Sequence, residues 1–380
     1  MAEQKNRYRV FISAAEPSGD SHCAGLIAAC RQSNDNIDFV GVGGPKMAAA
    51  GCQLLETTTG RAAMIYNAFT QVGRYYMLIR RIARFFKNHK IDLVVVCDSP
   101  AFNFHVAKAA KKARIKTLFY VAPQLWAWAE WRIRKLRKYC DKLCCILPFE
   151  QEWFAQKVVD TVFVGHPLLD SLPPDLHIFQ KNYADFEPAN ARVALLPGSR
   201  DAEIRTLWLP MQQIALRLKE RCPCAAFVAV AVDEERKQAL HAARIAGLEC
   251  EYTIGDVSDT AANADFALVA SGSATLQVAA VGCPMVVMYQ SSRLLWYLVG
   301  RWLIKTQYLS LVNVLADRQL VPEFMPYFTS IDPIVESIDR LLQARDGLAR
   351  LSNELLQLAQ PLHTGKASEN TAQILREMLD

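Results

Sequence analysis

Residues Phe266–Tyr289 read FALVASGSATLQVAAVGCPMVVMY, and their pattern decides the fold. Phe266 to Ala270 is an apolar run of strand length. Ser271-Gly272-Ser273 interrupts it, Ala274 to Val281 suits a helix, and Gly282 ends that helix before a second apolar run, Met285 to Met288. Strand, tight turn, helix, strand is a βαβ unit, and strands without polar alternation belong to a parallel sheet buried on both faces. The turn gathers hydroxyls and N–H groups at the positive end of a helix dipole, which suits a phosphate or sugar diphosphate. A plain cap from Ser271 or Ser273 is the competing reading of S-G-S alone.

The same alternation runs through the whole chain. Arg7–Ala14, Phe39–Gly44, Asp92–Asp98, Thr117–Val121, Leu143–Leu147 and Val162–Val164 read as strands separated by helices. After Ser171–Asn190, rich in prolines and acids and read as a linker, the pattern restarts at Arg192–Leu196, Ala226–Val232 and Glu251–Ile254. The predicted class is α/β, with two Rossmann-like domains at 1–170 and 190–359. Two or three helices end the chain, those over 360–380 expected to pack back on the first domain. Gly41, Gly43 and Gly44 do not form the G-x-G-x-x-G fingerprint, so a dinucleotide cofactor is not expected, nor any other cofactor.

Composition narrows the class further. With 52% hydrophobic and 21% charged residues the chain is globular, without a disordered tail. Met1–Arg9 is polar and leads straight into a strand, so no signal peptide is expected. Leu294–Ile304 is apolar but short and contains Arg301, too little to span a bilayer. Eleven scattered cysteines point to reduced thiols in the cytosol, and Cys222-Pro-Cys224 has no second pair to complete a zinc site. Charge is uneven: residues 1–170 hold 24 Lys/Arg against 14 Asp/Glu, the remainder 19 against 24. A basic N-terminal half implies an anionic partner: nucleic acid, anionic membrane or a phosphorylated substrate.

Three motifs carry candidate chemistry. Leu195-Leu-Pro-Gly-Ser-Arg200 ends a strand with a glycine turn and an arginine that can grip a diphosphate bidentately. A surface arginine after an ordinary turn is the alternative, but the S-G-S turn two strands later favours a nucleotide diphosphate site. No Asp-X-Asp triplet occurs, so no metal is expected, and Arg200 with the helix N-termini would stabilise a leaving group. Asp98, at the open end of an apolar strand before Ser99-Pro100, is a candidate general base or else a turn former. Glu16, Ser18, Gly19 and Asp20 after the first strand, and His166 in Gly165-His-Pro167, suit substrate contacts or structural hydrogen bonds.

Arg61–Lys90 has seven Lys/Arg and no acidic residue, interleaved with Tyr66, Phe69, Tyr75, Tyr76, Phe85 and Phe86. Leu294–Lys305 (LLWYLVGRWLIK) is similar in character. Such stretches suit an anionic membrane surface; no nucleic-acid motif accompanies them, and a helix packed on the sheet with snorkelling arginines is the bland alternative.

Ten blocks in order carry a resemblance. They are Glu16-Pro-Ser-Gly-Asp20, Phe39-Val-Gly-Val-Gly-Gly-Pro45, Asp98-Ser-Pro-Ala-Phe-Asn103, Tyr120-Val-Ala-Pro-Gln-Leu-Trp-Ala-Trp128 and Leu147-Pro-Phe-Glu150. Val164-Gly-His-Pro167, Leu195–Arg200, Ala270-Ser-Gly-Ser-Ala-Thr-Leu276, Pro284-Met-Val-Val287 and Leu309-Ser-Leu-Val-Asn-Val-Leu-Ala316 complete them. The chain resembles the lipid-A-disaccharide synthases, bacterial inverting glycosyltransferases of the GT-B fold, over nearly its full length. The resemblance implies two domains facing each other across a cleft. It implies transfer of diacylglucosamine from UDP-2,3-diacylglucosamine to the 6-hydroxyl of 2,3-diacylglucosamine 1-phosphate. A metal-independent enzyme, peripheral on the cytoplasmic face of the inner membrane, follows, with a homodimer left open. Asp98 would be the base, Ser199 and Arg200 would hold the UDP phosphates beside Ser271, Gly272, Ser273 and Thr275, and Asn313 would complete the nucleotide pocket. Gln277 replaces the family's usual Glu at a position suited to the ribose, Ala101 replaces a second Asp, and Met64–Phe69 departs from the family's Met-Gly segment. A UDP-N-acetylglucosamine 2-epimerase-like enzyme and a non-catalytic lipid- or nucleotide-binding relative are the competing readings.

Overall fold

The computed structural model describes residues 7–33, 36–58, 68–255, 257–293, 296–297 and 306–380, with backbone alone for 68–72. The segments 64–67 and 298–305, singled out above for their sequence, lie outside the described residues. The chain divides into two compact units, Met1–Ser171 with Leu362–Asp380, and Leu172–Pro361.

In the first unit seven parallel strands are β1 (Tyr8–Ala14), β2 (Ile37–Gly43), β3 (Gln53–Thr57), β4 (Leu93–Cys97), β5 (Lys116–Tyr120), β6 (Lys142–Cys145) and β7 (Thr161–Phe163). Their order across the sheet is β3-β2-β1-β4-β5-β6-β7. The helices are α1 (Pro17–Gln32), α2 (Pro45–Ala49), α3 (Ala68–Asn88), α4 (Pro100–Lys112), α5 (Ile133–Tyr139) and α6 (Pro148–Gln156). Four of them, α1, α2, α4 and α6, start on a proline in their first turn, where the missing N–H costs nothing.

The second unit holds β8 (Arg192–Leu196), β9 (Ala226–Ala231), β10 (Glu251–Ile254), β11 (Phe266–Ala270), β12 (Met285–Met288) and β13 (Glu323–Phe324). These also pair in parallel, in the order β10-β9-β8-β11-β12-β13. Its helices are α7 (Asp201–Arg221), α8 (Glu234–Ala242), α9 (Val257–Ala262), α10 (Ala274–Ala280), α11 (Leu311–Ala316), α12 (Asp332–Gln343) and α13 (Arg345–Ala359).

The central strands are buried along their whole length, as LVVVC in β4 and FALVA in β11 require of a sheet covered on both faces. On one face of the first sheet Leu78, Ile82 and Phe86, spaced by four along α3, join Phe102, Ile133 and Leu136 of α4 and α5. On the other face α1 packs with the last helix, α14 (Ala367–Leu379), through Leu26, Ile27, Ala372 and Leu375.

Ser171–Asn190 is not a free linker. Leu176 is fully buried, Tyr183 and Phe186 enter the core of the second unit, and the Tyr183 hydroxyl donates to the Asp265 carbonyl at 2.8 Å. Its three apolar anchors are too irregularly spaced to read as an element.

The return of α14 to the first unit is held by a side-chain cap from afar. Asp170 accepts from the N–H groups of Ala367 (2.8 Å) and Ser368 (3.0 Å), and Asn370 donates to the Val164 carbonyl at 2.9 Å. Asp170→Ala should therefore lower stability by about 1.5–3 kcal/mol, the range for hydrogen bonds to a charged group. Urea unfolding would read this, and an unchanged midpoint would refute it.

Candidate active site

In an open parallel sheet, ligands bind where the strand order reverses, outside the carboxyl ends of the strands flanking that point. In the first sheet the reversal lies between β1 and β4, which brings the turn 15–20 beside the turn 98–99. In the second it lies between β8 and β11, which brings 197–200 beside 271–275.

At the first point Asp98 and Ser99 both take left-handed backbone, with φ of 45° and 40°. Non-glycine residues there cost about 1–3 kcal/mol each and persist only where the surroundings impose the conformation. The fully buried Asn103, in the first turn of α4, imposes it. Its Nδ2 donates to the carbonyls of Cys97 (2.7 Å) and Asp98 (2.9 Å), and its Oδ1 accepts from Ser13 Oγ (2.7 Å). The Asp98 N–H reaches the Tyr120 carbonyl at 3.2 Å on the next strand.

Ser18 Oγ donates to Asp98 Oδ2 at 3.1 Å, and a Cβ at Gly19 would stand 3.2 Å from the same oxygen. The absent side chain lets α1 approach the carboxylate closely. Asp98, Ser18 and Gly19 are thus one cluster, with Glu16 at the N-cap of α1.

Two neighbours are structural instead. Asp20, 3% exposed, accepts from the N–H groups of Gly44, Lys46 and Met47 and so caps α2. His166 is buried, and its Nδ1 accepts from the Leu168 N–H at 3.3 Å, the structural hydrogen bond that was one of its two expected roles. Burial, then His22, lowers its pKa to about 3. Burial, then Lys46, lowers that of His22 to about 4.

At the second point Gly198 (φ 102°) turns the chain, and Glu203, on the first turn of α7, closes the turn. Glu203 Oε2 accepts from the N–H groups of Ser199 (3.0 Å) and Arg200 (3.2 Å), and Oε1 accepts from Arg200 Nη1 (2.9 Å). The Arg200 side chain is 68% exposed, and Glu203 holds one edge of its guanidinium. A second guanidinium stands at the neighbouring strand end: Arg236 pairs with Asp201 (3.1 Å) and Asp233 (2.6 Å).

Across the crevice Gly272 and Ser273 are exposed, Ser271 and Gln277 half-buried, and Ser273 makes no side-chain cap. Thr275 is fully buried and donates its hydroxyl to the Gly272 carbonyl at 2.7 Å, so it shapes the turn.

Asn313 is likewise buried. Its amide donates to the Val321 carbonyl and Glu323 Oε2, each at 2.9 Å, and accepts from the Val321 N–H at 2.9 Å. Glu323 also accepts from the N–H groups of Leu309 and Ser310 and from Ser310 Oγ. Asn313 therefore orders the loop 309–323, its amide bonded to backbone and carboxylate. Sequence reading missed Asn103, Glu203, Arg236 and Glu323; only Glu203 carried a local signal, a carboxylate three residues after Arg200.

The model of the lipid-A-disaccharide synthetase family matches residues 10–377. The chain belongs to that family. It is 32% identical over 385 residues to the lipid-A-disaccharide synthase of Geobacter sulfurreducens, covering 99% of this chain and 98% of the relative. That of Idiomarina loihiensis is also 32% identical, with 98% of each covered. Among solved structures, the S. aureus MnaA–UDP co-structure superposes with a TM-score of 0.64 at 13% identity, covering 98% of this chain and 97% of that one. Acinetobacter baumannii MurG gives 0.59 at 15%, covering 97% and 99%. These likenesses establish the GT-B fold for the chain.

The buried histidines predict an acid dependence. Unfolded His titrates near 6.5, whereas His166 holds out to about 3, so the unfolded chain alone takes the proton between those values. Stability present above pH 6.5 is lost as pH falls. His166→Asn keeps an acceptor for Leu168 and should remove about 1.4 kcal/mol per pH unit from that loss. Urea unfolding at pH 5, 6 and 7 checks it; parallel curves for parent and variant would refute it.

Proposed function

We propose that the protein transfers 2,3-diacylglucosamine from UDP-2,3-diacylglucosamine to the 6-hydroxyl of 2,3-diacylglucosamine 1-phosphate, giving the β-1,6-linked disaccharide 1-phosphate and UDP. The observation that carries this is family membership over residues 10–377 with Asp98 and Arg200 each standing at a switch point of its own sheet. The carboxylate of Asp98 takes the proton of the 6-hydroxyl as that oxygen bonds to the anomeric carbon from the face opposite UDP. The anomeric C–O bond to the β-phosphate breaks, the electron pair leaves with UDP, and the configuration inverts. Arg200, aimed by Glu203, meets the charge that develops on the departing phosphate. Ser199, Ser271 and Ser273 offer hydroxyls, and Gly272 and Ser273 offer N–H groups, to the same phosphates. Gln277, one helical turn further on, accepts from the ribose through its carbonyl oxygen and does so more weakly than a carboxylate.

The acyl chains of both substrates call for a membrane surface, and peripheral attachment at the inner face of the inner membrane fits the exposed side of α3. There Tyr76 and Met77 are 62% and 65% exposed, and Arg80 lies 5.8 Å from the Tyr76 ring centre. No helix among the described residues is long and apolar enough to cross a bilayer.

Purified protein with both substrates in detergent should release UDP and form disaccharide without added metal, followed by mass spectrometry. Absence of disaccharide with both substrates present would overturn the reading. Asp98→Asn should lower turnover about 10²- to 10⁴-fold while UDP binding stays intact. Normal turnover by that variant would exclude Asp98 as the base. Arg200→Ala should weaken UDP binding about 10- to 100-fold by calorimetry, as loss of a charged hydrogen-bonding partner predicts.

A further inference from the structure

The block Tyr120–Trp128 has no role in the chemistry described above, yet it follows the strand beside Asp98. Strand β5 pairs with β4 up to Cys97 and Tyr120, so the loop 121–132 leaves the sheet next to the Asp98 turn. This loop is built to be rigid. Val121 and Ala129 take left-handed backbone, with φ of 61° and 58°. The Trp126 indole donates to Oε1 of the fully buried Glu150 at 2.9 Å, while Oε2 accepts from the N–H groups of Ile146 and Leu147.

Upon this base stand two open indoles, Trp128 at 39% and Trp131 at 63% exposure. The Arg132 guanidinium lies 4.9 Å from one ring centre and 5.2 Å from the other, and Lys135 Nζ lies 5.8 Å from Trp131. The neighbouring carboxylate, Glu130, pairs with Lys157 at 2.7 Å, and α5 itself carries no acidic residue. The positive field reaches α4, where burial and then Lys135 and Lys108 lower the pKa of His105. Exposed indoles bracketing a cation suit a ligand that is both apolar and anionic.

We propose that Trp128, Trp131, Arg132 and Lys135 form a subsite for the phosphomonoester of an acylated sugar, that is, for the acceptor rather than the nucleotide. Arg132 forks onto the phosphate, Lys135 adds charge, and the indoles lie against the sugar and the start of its acyl chains. The subsite rests on the acceptor chemistry proposed above, but its test reads binding and not turnover.

Diacylglucosamine 1-phosphate and its dephosphorylated counterpart would be titrated into the full-length protein in detergent micelles. Arg132→Gln should weaken binding of the phosphorylated compound about 10- to 100-fold, leave the dephosphorylated one unchanged, and leave UDP binding unchanged. Arg132→Lys should recover part of the loss, and Trp128→Ala should weaken both compounds. Equal binding of the phosphorylated compound by parent and Arg132→Gln would overturn the proposal. So would a variant that binds it normally but no longer sediments with phosphatidylglycerol vesicles, which would make the patch a headgroup surface. A parent protein that binds the phosphorylated compound through Arg132 without transferring sugar would overturn the reaction and leave the subsite standing.

Discussion

A parallel sheet carries no solvent face, and both units are arranged to satisfy that constraint. Strands such as LVVVC and FALVA are apolar on both sides, so helices must cover each face, and the chain must cross from one strand to the next through a helix. Covering both faces from a central strand forces the crossovers to change direction once in each sheet. At that point two loops separate and leave a crevice whose walls are helix N-termini. Asp98 with Ser18, and Arg200 with the 271–273 turn, stand at these two crevices for a topological reason.

Chemistry in each crevice depends on buried polar groups behind it. Asn103 holds two left-handed residues in place by gripping the carbonyl before the bend and the one within it, and Ser13 fixes its amide in turn. Glu203 does the same for Arg200, taking two backbone N–H groups of the turn and one guanidinium edge. Glu323 gathers the loop 309–313. In a low-dielectric interior such groups are costly unless fully satisfied, and once satisfied they leave the turn a single geometry. Side chains that face solvent are thereby aimed by side chains that do not.

Thr275 and Asn313 show where sequence reasoning stops short. Both have residue types that suit a nucleotide pocket, and both lie in the right loops. Their hydrogen bonds are spent on the Gly272 carbonyl and on Val321 and Glu323. A hydroxyl or an amide reads the same in sequence whether it faces a ligand or its own backbone. The segment 171–190 shows the complementary slip, since few apolar residues suffice to pack it when Leu176, Tyr183 and Phe186 happen to meet a core.

What the sequence determined by itself was the alternation of apolar strands and helices, the class of the two units, and the identity of the turns that follow β1, β4, β8 and β11. These are local properties, because burial of a strand on both faces and the capping chemistry of a turn are written within a few residues. Only the tertiary structure decided which turns become neighbours, since strand order is set by crossovers that run tens of residues. It also decided which polar groups are consumed by partners far along the chain, as Ser13 is by Asn103 and Asp170 by α14. The cation held between Trp128 and Trp131 belongs to both categories. Its residues are contiguous, but the departure of their loop next to the Asp98 turn follows from the pairing of β5 with β4.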